Sequence, residues 1–135
     1  MRTLLLGLVL SLAATASAAQ SLPAEARAYL GDWVTHDDDT GEPQAVVRIR
    51  AADGRLEGRI VRVLPTRDDP TPSAICHDCR GPYAGADLRT VRLLWGLRWD
   101  GDGFSGGHIL DPQSGRTYRA VMALDGPNRL RVRGF

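Results

Sequence analysis

The chain has 135 residues, with 17 Lys plus Arg against 16 Asp plus Glu, and only two cysteines. It contains no lysine, and once Arg2 is set aside the charges balance, which argues against general electrostatic capture of nucleic acid or anionic lipid. A chain of this length is one domain, large enough to bury about two-thirds of the surface its unfolded form exposes.

The chain opens with Arg2, an apolar run from Leu4 to Ala14, and Ala16-Ser17-Ala18, the A-x-A pattern of an export leader. Cleavage is expected after Ala18, giving a signal peptide over 1–18, a single domain over 19–135 and a periplasmic or secreted protein. The apolar run is too short for a convincing span, and nothing later is apolar long enough, so no membrane span is expected. No cysteine stands at the cleavage site to carry a lipid anchor.

"PAEARAYL" (23–30) is the one helical candidate, about two turns with Pro23 at its start. After it the apolar period is two. The predicted strands are "GDWVT" (31–35), "QAVVRIR" (44–50), "RLEGRIVRVL" (55–64), the stretch 91–99, "FSGGHIL" (104–110), "RTYRAVMAL" (116–124) and "RLRVRGF" (129–135). Asp53-Gly54, Gly101 to Gly103, "DPQSG" (111–115) and "DGPN" (125–128) supply the turns between them. The apolar parity switches between Ile60 and Val61, which predicts a bulge or a stretch buried on both faces. In the fourth strand Val91, Leu93, Trp95, Leu97 and Trp99 alternate with Arg92, Leu94, Gly96 and Arg98. Tyr118, Ala120, Met122 and Leu124 share one face, read as barrel interior.

Consecutive short antiparallel strands predict a sandwich or an up-and-down barrel. Gly31-Asp32-Trp33, a G-x-W on the first strand after a short helix, resembles the signature of the lipocalin and wider calycin barrels. That resemblance implies that Trp33 closes one barrel end with a cation from the last strand across its ring, Arg131 or Arg133 here.

The segments "GDWVTHDDDTGEPQAVVRI", "DGRLEGRIVRVL", a C-x-x-C-x-G loop, "GGHILDPQSGRTYRAVMAL" and "LRVRGF" resemble, in order over about 31–135, the bacterial exported-protein family called domain of unknown function 2147. The resemblance implies a periplasmic or secreted protein with a small lipocalin-like all-β barrel, and carries over no catalytic residue. Family members continue past this point with a further strand, so the resemblance also implies a chain truncated at its C-terminal end and a barrel one strand short of eight. Open edges on such a barrel predict marginal stability or self-association.

Cys76 and Cys79 lie in a long Pro-rich segment, Pro65 to Ala86, a candidate functional loop. A redox role needs a low-pKa thiolate at a helix N-terminus, and neither the helix nor the βαβ pattern is present. A metal site needs further ligands; His77 is adjacent, but His36 and His108 are distant in sequence. Arg80 follows Cys79, so the pair is not a haem attachment. A structural disulfide ranks first, restraining the unfolded chain by about 2 kcal/mol.

Other patterns read as structure. "HDDDTGE" (36–42) fails the calcium-loop register, because Glu42 stands where glycine is needed, and reads as a hairpin turn. "GFSGGH" (103–108) lacks the setting of a phosphate loop and reads as a strand start. No cofactor is implied. The leading functional expectation is a non-enzymatic barrel holding a small apolar or amphipathic ligand, with Trp33, Trp95, Trp99 and Tyr118 at its interior or mouth. A thiol-redox or metal-binding Cys loop and a solid-cored envelope protein are the alternatives.

Overall fold

The computed structural model describes residues 21–135, so the expected leader over 1–18 lies outside the described residues. Seven strands form one antiparallel meander: β1 (Gly31–His36), β2 (Pro43–Ala52), β3 (Arg55–Val63), β4 (Leu94–Trp99), β5 (Phe104–Leu110), β6 (Thr117–Leu124) and β7 (Leu130–Gly134). Each strand pairs with its sequence neighbour, and the sheet curls into a nearly closed barrel. Since every step is antiparallel, β1 and β7 run in the same direction. No ladder joins them among the described residues, so the barrel has one open side.

The period-two pattern becomes the inner face. On β2, Ala45, Val47 and Ile49 are buried while Arg48 and Arg50 are exposed. In the β2–β3 ladder Val46 pairs with Arg62 and Val47 with Ile60, so Val61 is the extra, exposed residue of a bulge. This is where the apolar parity switches in the sequence. On β6, Ala120 and Met122 are buried, the latter opposite Phe104 of β5.

The fourth strand departs from its sequence pattern. It begins at Leu94, and Leu94 and Leu97, three residues apart, are both buried. Gly96 between them takes φ +70°, a conformation open to glycine, and resets the alternation. Opposite it, Gly107 lets the strands close up: a Cβ there would lie 2.6 Å from both Leu97 Cγ and the Trp95 carbonyl oxygen. The glycines of 103–108 therefore permit close approach and curvature.

The N-terminal segment forms a tighter 3-10 helix, Ala24–Tyr29, in place of two α-helical turns. With so few residues, its stability comes from packing, and both Ala26 and Tyr29 are buried. The Tyr29 ring meets Phe104 edge-on at 4.9 Å and Trp99 at 6.0 Å, and Trp99 meets Phe104 at 5.3 Å. The Tyr29 hydroxyl accepts a hydrogen bond from the Leu124 amide at 3.1 Å. These three rings plug one barrel end.

Candidate functional site

A cavity of about 750 Å³ lies along the open side of the barrel. β1 contributes Trp33 to His36 and β7 contributes Leu130 and Val132, while Val47, Ile49, Leu94 and Ile109 form the wall behind. Among the described residues no strand lies between β1 and β7, and their inward residues open onto the cavity. Val132 pairs with buried Met122, hence points inward, yet is 37% exposed. The mouth is polar and two-sided. His36, Asp37 and Asp38 stand on the β1 side, and Asn128 and Arg129 on the β7 side.

The acidic side of the mouth is held by its turn. Asp37 Oδ1 accepts the amides of Asp39 and Thr40 at 2.9 and 2.7 Å, and its Oδ2 accepts Gln44 Nε2 at 3.2 Å. The Thr40 and Asp39 amides hold the Asp37 carboxyl below its usual pKa, so it stays ionised at neutral pH. Gly41 at φ +74° completes the hairpin. The clustered carboxylates thus build a turn, and among the described residues no group of three or more His, Cys, Asp or Glu side chains is arranged around a metal-sized site.

The sequence named Trp33, Trp95, Trp99 and Tyr118 for the barrel interior or mouth, and the structure separates them. Trp33 lines the cavity and donates its indole N–H to the Tyr29 carbonyl at 2.9 Å. Trp99 belongs to the plug beneath. Trp95 lies on the outer face, stacked on His108 at 5.6 Å with the Arg92 guanidinium over its ring at 5.7 Å. It pairs with His108 while the neighbouring Leu94 takes the inward position opposite Ile109, and the Gly96 reset is what separates Trp95 from Trp99. Tyr118 shares the inward parity of Ala120 and Met122 but sits at the strand end, 38% exposed and outside the cavity lining.

The expected cation across Trp33 is not where the structure puts these arginines. Arg131 bonds Asp125 at 2.9 Å, and Arg133 lies over Phe135 at 5.4 Å. Both alternate with the inward residues Leu130 and Val132, so their side chains leave the barrel on its outside. Closure falls instead to Tyr29, which the sequence reading left unmarked. An aromatic residue two positions before the G-x-W, at the end of the short helix Ala24–Tyr29, was the available signal. Gly31 opens β1 opposite Ile49, with nothing near its Cα that a side chain would strike.

Cys76 and Cys79 form a disulfide. Both are buried, at 3% and 5% exposure, within a hairpin-like loop where Cys76 exchanges hydrogen bonds with Gly85 and Ala86 and Ile75 bridges Asp87. The sulfurs rest on the β5–β6 turn. Cys76 Sγ contacts the Pro112 carbonyl oxygen at 3.2 Å, and a Cβ on Gly115 would sit 3.1 Å from Cys79 Sγ. Asp111 shapes that turn, its carboxylate accepting the Gln113 amide at 2.9 Å and the Ser114 hydroxyl at 2.6 Å. Leu88, Leu93 and Leu110 are buried with the disulfide, which fastens the long β3–β4 connection to the barrel.

Among solved structures, the chain is similar to protein HP1028 from Helicobacter pylori, described as belonging to the lipocalin family. The two share 16% identity and a TM-score of 0.62, over 76% of this chain and 68% of that one. At that identity the likeness is one of fold. None of the curated proteins matches the chain. The lipocalin-like meander is matched by a family model that covers residues 31–135, from the glycine opening β1 to the last described residue. The chain therefore belongs to the bacterial family described as "uncharacterized protein conserved in bacteria (DUF2147)".

Proposed function

We propose that this chain is an exported, non-enzymatic binding module that holds a small amphipathic molecule in the cavity between β1 and β7. The observation that carries the reading is the cavity itself. Its volume, about 750 Å³, falls within the range of small-molecule sites, and its apolar wall with a polar rim is the lining such sites use. An apolar body would rest on Val47, Ile49, Leu94 and Ile109, with a polar end at the mouth among His36, Asn128 and Arg129. Trp33 on the wall supplies a spectroscopic reporter.

The other two readings are less well supported. A solid-cored envelope protein is disfavoured by that cavity. A metal-capturing loop requires free thiolates, and both sulfurs here are bonded to each other; thiol exchange requires a sulfur that a partner thiolate can reach, and both are buried. Export is supported by the leader pattern and by the disulfide, which persists in oxidising compartments. Among the described residues no helix is long and apolar enough to cross a membrane.

Titration of intrinsic tryptophan fluorescence with a series of fatty acids and neutral apolar probes tests the proposal. Saturable quenching or blue shift is expected, lost in Trp33→Phe as a signal and weakened in Val132→Glu as an affinity. A folded protein that shows no saturable response to any probe, by fluorescence or by calorimetry, would overturn it.

A further inference from the structure

The charge balance of the whole chain conceals an uneven distribution. On the β1–β3 side two arginines meet carboxylates carried by the strands, Arg48 with Asp32 at 2.7 Å and Arg50 with Glu57 at 2.6 Å, while Arg55 and Arg62 are exposed with no such partner among the described residues. Strands β4 to β7 contain no Asp or Glu at all. Their outward positions carry Arg98, Arg119, Arg131 and Arg133, and of these only Arg131 has a carboxylate within 4 Å among the described residues.

Strand register arranges this face in rows. Trp95 stands opposite His108, His108 opposite Arg119, and Arg119 exchanges backbone hydrogen bonds with Phe135 at 3.0 and 3.1 Å. At about 4.8 Å per strand the row is roughly 14 Å long. Arg92 lies over the Trp95 ring at one end and Arg133 over the Phe135 ring at the other. A second row runs beside it, with Arg98 opposite Ser105 and Val121 opposite Arg133. The result is a two-dimensional array of guanidinium groups, bounded by an indole and by a phenyl ring that is 58% exposed.

We infer that the outer face of β4 to β7 docks on an anionic lipid surface. Guanidinium groups suit phosphate because they present several donors in a plane and shed water more readily than an ammonium. Trp and Phe at the margin suit the interfacial zone, where an apolar ring enters beside the headgroups. The geometry favours a plane of headgroups over a single anionic polymer. The arginines are spread across four strands, and the groove beside them, about 280 Å³, is lined by Asp100 and Asp102 as well as Arg131 and Arg133, so its charge is mixed and it offers no continuous cationic track for an anionic strand. This face is separate from the cavity, and the inference stands whether or not the cavity binds a ligand.

The test is cosedimentation of the purified full chain with vesicles of phosphatidylcholine alone and of phosphatidylcholine with phosphatidylglycerol, at low and high salt. Binding to the anionic vesicles, suppressed by salt, is expected, with pure phosphatidylcholine reporting any pull from the apolar leader. Replacing Arg98, Arg119 and Arg133 together by Gln should weaken binding by about two orders of magnitude, at roughly fivefold per arginine. The same charge change made elsewhere, Arg55→Gln with Arg62→Gln on β3, should leave most of it intact. Circular dichroism of each variant separates loss of binding from loss of fold. The inference fails if anionic vesicles do not bind, if the β3 variant loses as much per charge, or if soluble alginate binds the array as tightly as the vesicles and displaces them.

Discussion

The wall formed by β2 to β5 and the open side formed by β1 and β7 carry the same alternation of apolar and polar residues, yet they differ in what that alternation achieves. On the wall, inward residues are lost to solvent almost completely, with Val47 and Ile49 at 3% and Leu97 at 0% exposure. On the open side, Val132 points inward by the same rule and keeps 37%. Burial is a property of the facing layer as much as of the residue. The wall accordingly supplies stability, while the open side supplies a cavity at the cost of unpaired strand edges.

Substitutions should divide along this line. The largest effects belong to the wall: Leu97→Ala should lower unfolding free energy by about 2–5 kcal/mol, read as a fall in the denaturation midpoint. Gly107→Ala should be comparably damaging, since its Cβ would meet Leu97 and the Trp95 carbonyl with nowhere to shift. If either proves mild, the β4–β5 contact is looser than described.

Next comes the latch outside the wall. Cys76→Ser with Cys79→Ser should cost about 2 kcal/mol and expose the β3–β4 connection to limited proteolysis, with ligand binding in the cavity retained. Loss of ligand binding in that variant would tie the loop to the cavity and blur the comparison.

On the open side, Val132→Thr should change stability by under about 1 kcal/mol, because a residue already one-third exposed has little burial to lose. Ligand affinity, measured by the same fluorescence titration, should fall more than stability does. A stability loss as large as that of Leu97→Ala would mean that β7 is packed against something in solution, and concentration-dependent sedimentation would identify edge pairing as the cause.

The smallest effect concerns Asp87 in the long connection. The Arg89 guanidinium and the Arg89 amide lower its pKa from 3.8 to about 2. A depressed folded value means that the stabilisation is present above about pH 4 and lost as pH falls towards 2. Carboxyl carbon shifts followed by NMR should show Asp87 titrating near 2, and Arg89→Gln should move it back towards 3.8. The Asp87 side chain is partly exposed and lies in the β3–β4 connection, so the loop should loosen there while the barrel wall stays intact.

Much of this molecule was legible in its sequence. Period-two runs and Gly, Asp and Pro turns mark all seven strands, and the parity switch at Ile60 and Val61 marks the bulge, because strand alternation and turn chemistry are local properties. The Cys-x-x-Cys spacing, read beside the leader pattern, likewise pointed to the disulfide. What required tertiary structure was which way certain residues face and what stands opposite them. One glycine conformation at Gly96 sends Trp95 outward, and a packed ring cluster makes Tyr29 the plug in place of a Trp33–Arg pair. Which arginines meet a carboxylate, and which stand together without one, emerges only when seven strands are laid side by side. Contacts between residues far apart in sequence depend on register and closure, and those are set by the whole sheet.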